Sequence, residues 1–223
     1  MTPEPTPPDA LLAEVARDLR AVPASPTPWR QALRATPVAL AIIVTLAALR
    51  GLFKDATALG PILAWGVSLV EMGTGIVLIW IATREGTPAR RLPRNVVRSA
   101  MAGAGLMVVA FSYVTFWVSP TLPAGGTAWR IGLVCYVGGT LAAVPLFALA
   151  EWFRSRWTSP HPALMGALYG AGAGLTANAG WRLVCPVSAP WHVLTAHGGA
   201  TISTTVLGAV VAHVVAVRAR RSG

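Results

Sequence analysis

Six long apolar segments, separated by short polar connections, constrain this chain more than any other feature. They lie at about 36–53, 58–82, 96–119, 130–150, 162–181 and 196–217. A helix needs about 20 mostly apolar residues to cross a bilayer core. Charged residues make up 12% of the chain, against about a quarter in a soluble domain. The sequence therefore predicts an all-α polytopic membrane bundle of six transmembrane helices, and it excludes a disordered chain or a soluble nucleic-acid-binding protein.

The basic residues predict the orientation of the bundle. With six spans, 14 of the 18 Lys and Arg residues fall on the side of the two termini, and Arg50, Lys54, Arg130 and Arg182 fall on the other. Basic residues collect in cytoplasmic connections, so both termini are expected in the cytoplasm. The net charge of +10 is then a topology signal, and we predict the lipid bilayer and no direct nucleic acid as a partner. The start of the chain has acids and prolines where a signal peptide has basic residues, so we expect no signal peptide.

The chain divides into three predicted regions. Residues 1–35 form a cytoplasmic head, with an amphipathic helix at about 9–21 and a Pro-rich linker; residues 36–217 form the transmembrane domain, and residues 218–223 a basic cytoplasmic tail. Leu12, Val15 and Leu19 recur at helical spacing on one face of the head helix. Because an amphipathic helix can lie in a groove of another protein, these three residues are the predicted partner-binding anchors.

The two cysteines of the chain fall on the same, outer side of the predicted bundle. Cys135 lies near the start of the fourth segment, and Cys185 lies in the connection before the sixth, followed by His192 and His197. Two thiols in an oxidising compartment can form a disulfide, or they can share a soft metal with imidazoles. The alternative is a small buried cysteine and an incidental loop thiol. We take all four residues as a candidate sensor, and Cys135, Cys185 and His197 as candidate ligands of a metal ion.

Two further features of the apolar segments stand out. Glu71 lies near the middle of the second segment, where a charge costs roughly 3 kcal/mol on insertion scales, so it is functional or pairs with another helix. Gly166, Gly170 and Gly174 recur at four-residue steps in the fifth segment, which predicts a face for close helix packing. The sequence contains no glycine-rich phosphate loop, nucleophile elbow or His-Glu-x-x-His motif. We therefore expect a protein that is not an enzyme.

Several stretches resemble the NrsF-type anti-sigma factors, a family of six-span bacterial inner-membrane proteins. The head helix with its Pro23 and Pro28-Trp29-Arg30 linker, the single cysteine at the start of the fourth span, and the Gly-rich fifth span running into Cys185-Pro186 and His197-Gly198 are similar to theirs. The chain departs from the family pattern at Val184, where His is frequent, at Ala196, where Trp is expected, and at Val187 and Ser188, where acids are frequent. These departures remove potential metal ligands.

The resemblance implies a regulatory function in the bacterial inner membrane. Such proteins hold an extracytoplasmic-function sigma factor inactive and release it when an oxidative, metal or light-type stress is sensed outside the membrane. The resemblance thus implies a sigma factor as partner and Cys135 and Cys185 as the sensor. A small transporter or channel for a metal ion or other solute is the alternative. It would use Cys185, His197 and Glu71 as a path, although the segments offer few other polar residues. A haem-binding redox subunit ranks last, because His197 and His213 lie at opposite ends of one predicted helix.

Overall fold

The computed structural model describes residues 14, 16–17, 27–52, 56–86, 91–120, 128–154 and 159–221. The predicted anchors Leu12, Val15 and Leu19 lie outside the described residues. Glu14, Ala16 and Arg17 are helical and exposed, in the part of the head where the sequence predicts a helix.

The described part of the chain is all-helical and has no strand. Its six long helices are α1 (Pro28–Arg50), α2 (Ala56–Glu85), α3 (Arg94–Val118), α4 (Ala128–Arg154), α5 (Pro162–Val184) and α6 (Pro190–Arg221). Proline occupies the first turn of α1, α5 and α6, where its missing N–H leaves no hydrogen bond unmade. Helix α2 is interrupted at Gly60, whose φ of 71° is accessible to glycine at no steric cost.

Five of these helices are long and apolar enough to span a membrane: α1, α3, α4, α6, and the part of α2 from Ile62 to Glu85. The chain is therefore a membrane protein by the length and composition of its helices. Six spans were predicted, and α5 is the segment that does not meet the same standard of apolarity, although it has 23 residues. Its position in the bundle explains the difference.

Helix α5 is the centre of the bundle. It packs against α1, α2, α4 and α6, and 17 of its 23 residues are buried. A helix surrounded by other helices does not need large apolar side chains facing lipid. Small residues let the neighbouring helices approach closely, and polar groups form hydrogen bonds with them. Both kinds of residue lower the mean hydropathy of α5.

The predicted glycine face of α5 lies directly on α6. A Cβ on Gly166 would collide with the backbone of Gly208, and one on Gly170 would collide with the carbonyl of Thr204. Gly174 faces Thr201 and Thr204 in the same way. The prediction of close helix packing at this face is confirmed. A further glycine, Gly172, makes the same kind of approach to α2, where its Cβ would lie 2.6 Å from the Gly75 carbonyl oxygen.

Two helices extend beyond the predicted transmembrane segments. Helix α1 begins at Pro28 and buries Gln31, Ala32 and Ala35, so the end of the predicted head packs on the bundle. Helix α6 likewise continues through Arg221, so the first residues of the predicted basic tail are helical. In both cases the helix extends into polar sequence, because packing against neighbouring helices or continued backbone hydrogen bonding stabilises the additional turns.

Successive helices run in alternate directions between two ends of the bundle. At one end Arg50, the last residue of α1, lies over the Trp181 ring near the end of α5, with 5.3 Å from the guanidinium carbon to the ring centroid. Cys135 near the start of α4 and Cys185 after α5 lie at this same end, which we call the cysteine end. At the opposite end Arg94 contacts His161 at 3.3 Å.

Candidate thiol and metal site

Four side chains from three parts of the chain meet at the cysteine end. Cys135 belongs to α4, Cys185 to the connection after α5, and His192 and His197 to α6. Their ligand atoms all lie within 4.8 Å of one another, and all four residues are at most 6% exposed. Two contacts are close: the Cys135 and Cys185 sulfur atoms are 3.5 Å apart, and Cys185 Sγ lies 3.3 Å from His192 Nε2.

A π-helical segment places the two histidines together. In an α-helix, residues five positions apart point about 140° away from each other, given about 3.6 residues per turn. Between these histidines, however, Val193–Gly198 is π-helical, and its i to i+5 hydrogen bonds bring residues five apart onto the same face. The ring centroids of His192 and His197 are accordingly 5.4 Å apart.

Asn178 of α5 orients His197. Its side-chain Oδ1 lies 2.9 Å from His197 Nδ1, and its Nδ2 donates to Glu71 Oε2 at 2.8 Å. A carboxylate only accepts hydrogen bonds, so the amide must turn its NH₂ toward Glu71 and its oxygen toward His197. His197 Nδ1 therefore carries the proton, and Nε2 of the neutral ring keeps a free lone pair. That Nε2 is buried with no hydrogen-bond partner among the described residues.

Glu71 is held inside the bundle by an ion pair. Its Oε1 lies 3.3 Å from Nη1 of Arg182, and the Glu71 side chain is 0% exposed. Arg182 also donates from Nη2 to Thr115 Oγ1 at 3.0 Å and to the Phe111 carbonyl at 3.3 Å. Glu71 thus pairs with another helix, α5, which is one of the two alternatives that the sequence left open. The chain of contacts runs from His197 through Asn178, Glu71 and Arg182 to α3.

The donor set has the chemistry of a tetrahedral metal site. Two sulfurs and two imidazoles form a Cys₂His₂ set, which Zn²⁺ takes at about 2.3 Å to sulfur and about 2.0–2.1 Å to nitrogen. Those bond lengths place the two sulfurs of a tetrahedral site about 3.8 Å apart, close to the 3.5 Å between Cys135 and Cys185. A disulfide requires about 2.05 Å, so the sulfurs must approach further to form one.

A hydrogen bond anchors the connection that carries Cys185. Ser188 donates from Oγ to the Ser119 carbonyl at 2.6 Å, which ties the connection to the end of α3. The hydrogen bond with the Cys135 sulfur and the burial of the group raise the pKa of the Cys185 thiol above its ordinary value.

A cavity of about 240 Å³ leads to the two cysteines. Arg50, Arg130 and Trp181 line it together with Cys135 and Cys185. The two arginines bring positive charge to the lining of this cavity.

Sequence reasoning found part of this site. It placed Cys135, Cys185, His192 and His197 at one end of the bundle, and the structure brings all four together. Both imidazoles were considered as partners of a soft metal, but the final set of predicted ligands held only Cys135, Cys185 and His197; the structure places His192 in the same cluster. Arg182 was counted as an outer charge and Asn178 was given no role at this site. Positions 178 and 182 both carry polar residues, one helical turn apart in a Gly-rich apolar segment. This spacing could have indicated that Asn178 and Arg182 share a buried face of the helix.

Comparisons with known proteins give one result. No curated protein and no solved structure is significantly similar to the chain. The sequence does match the NrsF family, described as negative regulator of sigma F, over residues 15–216. This range contains all six helices except the last residues of α6, together with the Cys/His cluster and the Asn178–Glu71–Arg182 chain. The protein belongs to the NrsF family.

Proposed function

We propose that this protein is an inner-membrane anti-sigma factor that binds an extracytoplasmic-function sigma factor and releases it under stress. The observation that carries the proposal is the match to the family of negative regulators of sigma F over residues 15–216. The buried thiol pair at one end of a helical membrane bundle supplies a sensor, and the arginine-rich connections at the other end support a cytoplasmic partner. Its action is regulatory and not enzymatic.

The signal in this proposal is an oxidative, metal or light-type stress that reaches Cys135 and Cys185 from the periplasmic side. Their sulfurs are 3.5 Å apart, so hydrogen peroxide can convert the two thiols into a disulfide. In that reaction the S–S bond forms, the peroxide O–O bond breaks, and the two thiol protons leave with the oxygens as two molecules of water. A soft metal ion can engage the same sulfurs as thiolates.

The head is the proposed sigma-binding element. Leu12, Val15 and Leu19 provide an apolar helical face, and the head leads directly into α1. Helix α1 packs on α5 through contacts such as Ile43 with Gly180. A change at the Cys/His cluster can reach the head through α5 and α1 only if the helices can pack in two alternative arrangements. We propose that these two arrangements differ at the α5–α6 glycine face.

The experiment is complementation in the host bacterium. Deleting the gene should raise a set of transcripts, and this rise should vanish when the sigma-factor gene that controls their promoters is deleted as well. Full-length protein should restore repression, whereas a protein lacking residues 1–22, or carrying Leu12→Asp with Leu19→Asp, should not. The matched control is Glu14→Ala with Arg17→Ala, which changes the exposed side of the same helix and should repress normally.

Repression by the head-deleted protein at normal membrane levels would show that the sigma factor binds elsewhere. Transcripts that do not depend on any sigma factor would overturn the proposal itself. The transporter alternative is weaker, because Glu71 is engaged by Arg182 and Asn178 and is not free to bind a solute.

A further inference from the structure

Two histidine ring nitrogens of the Cys/His cluster are buried and lack a hydrogen-bond partner in the part of the chain that the structure describes. His197 Nε2 and His192 Nδ1 are buried without a hydrogen bond among the described residues, and His197 is 2% exposed. Unpaired buried polar atoms are rare because the loss of their hydrogen bonds to water is not compensated. On His197 the unpaired nitrogen is the one that the Asn178 hydrogen bond leaves free, and this ring is within 4.8 Å of the other three ligand groups.

We propose that Cys135, Cys185, His192 and His197 together bind one divalent cation of the zinc or cadmium class in tetrahedral coordination, and that Asn178 and Glu71 are positioning residues for His197. The regulatory meaning of this site rests on the proposed function, whereas ion binding is a property of the purified protein. When the ion is bound, the two sensor cysteines are metal thiolates.

The ligand set selects the class of ion. Thiolate and imidazole suit Zn²⁺ and Cd²⁺, whereas Mg²⁺ and Ca²⁺ require oxygen ligands. Two thiolates balance the charge of a divalent ion, so the filled site carries no net charge into its buried surroundings. Arg50 and Arg130 at the cavity do not attract a cation, and therefore the affinity comes from the metal–thiolate bonds and not from long-range steering.

The hydrogen-bond chain behind His197 fits the same conclusion. Histidine ligands of metals nearly always donate their second ring N–H to a neighbouring acceptor, which fixes the tautomer and the ring orientation. Asn178 Oδ1 is that acceptor, at 2.9 Å. Glu71 holds the amide in the required orientation at 2.8 Å and is itself held by Arg182. A buried ion pair and an amide on two helices thus converge on one ring nitrogen.

The test uses the purified full-length protein in detergent with its thiols reduced. Titration with Co²⁺ should saturate at one equivalent and give intense d–d bands typical of a tetrahedral site together with a sulfur-to-cobalt charge-transfer band. Zn²⁺ or Cd²⁺ should displace the cobalt, and a large excess of Mg²⁺ should not. One equivalent of Zn²⁺ should also protect both cysteines of the unmodified chain from alkylation, a measurement that needs no variant.

Variants separate the roles of the ligands and of the positioning residues. Cys135→Ser, Cys185→Ser, His192→Ala and His197→Ala should each remove or change the cobalt spectrum, while His213→Gln, an exposed histidine on the same helix, should leave it unchanged. Asn178→Leu should weaken Co²⁺ binding by about 10–100-fold. The double variant Glu71→Gln with Asn178→Asp exchanges donor and acceptor and should keep most of the wild-type affinity. In this variant the residue at 178 still accepts a hydrogen bond from His197, and the residue at 71 donates one to the residue at 178.

The inference is overturned if reduced, folded protein binds no cobalt at one equivalent and Zn²⁺ gives no protection of the thiols. It is also overturned in its four-ligand form if both histidine variants keep the wild-type spectrum, since the ion is then held by sulfur alone. Neither result touches the anti-sigma function, which the transcript experiment tests separately. Conversely, binding with no effect on transcription leaves the metal site standing and removes its regulatory role.

Discussion

The carboxylate of Glu71 on α2 and the guanidinium of Arg182 on α5 form a buried ion pair, with 3.3 Å between Oε1 and Nη1. Both charged groups lie within the helical bundle, and each compensates the charge of the other. Because Asn178 joins the same carboxylate to His197, this pair supports the Cys/His cluster as well as the contact between two helices.

Breaking this ion pair should destabilise the protein strongly. Removing one partner of a buried pair leaves an uncompensated charge and costs about 3–5 kcal/mol, so Glu71→Gln and Arg182→Met should each lower the midpoint of thermal unfolding in detergent. The double variant should lose less than the sum of the two single variants. Additive losses would show that the two side chains do not stabilise each other.

The glycine face between α5 and α6 should tolerate no added side chain. Gly170→Ala places a Cβ against the Thr204 carbonyl, and we expect a loss of about 1–3 kcal/mol from overpacking, measured as a fall in unfolding temperature. Gly132→Ala is the matched control on α4, because no atom lies within 4 Å of its added Cβ. Alanine favours a helix over glycine by about 0.5–1 kcal/mol, so that variant should be as stable as the wild type or more so.

The two cysteines should act as a unit. Cys135→Ser, Cys185→Ser and the double variant should give the same transcriptional phenotype, because one sulfur can form neither the disulfide nor the complete metal site. Transcript levels of the sigma-dependent genes, with and without peroxide or Cd²⁺, measure this. Two single variants with different and additive effects would contradict a joint role.

The rate at which the cysteines react with thiol reagents should depend on the charge of the reagent, because positively charged residues line the cavity that leads to them. Arg50 and Arg130 line this cavity, so a negatively charged methanethiosulfonate should react faster than a positively charged one, by at least about tenfold at low salt. The ratio should shrink as salt is added, since the Debye length falls to about 10 Å at 0.1 M. Replacing both arginines with glutamine should equalise the two rates; equal rates in the unmodified protein would show that the arginines do not steer access.

The orientation of the bundle can be checked with reporter fusions. The excess of basic residues on the side of the termini predicts a cytoplasmic signal for fusions after Arg91 and after Gly223. A fusion within residues 121–127, in the connection between α3 and α4, should report periplasm. A periplasmic signal at either of the first two positions would reverse the model of a periplasmic sensor.

The apolar segments by themselves determined that this chain forms a helical membrane bundle, and they located its six helices to within several residues at most ends. They also determined which residues share an end: Cys135, Cys185, His192 and His197 follow from counting crossings, because each helix reverses the direction of the chain. The glycine spacing at 166, 170 and 174 was sufficient for a packing face, since residues four apart lie on the same side of a helix.

Only the tertiary structure decided how those residues meet. His192 and His197 share a face because Val193–Gly198 is π-helical, whereas the sequence placed His192 in the connection before the sixth helix and a regular α-helix would point the two residues apart. Glu71 pairs with Arg182 because of the rotation of α2 relative to α5, a quantity that no pattern within either helix contains. The central position of α5 also comes from packing: its small and polar residues look like a weak span in sequence, but burial among four helices gives each polar group a partner in place of lipid.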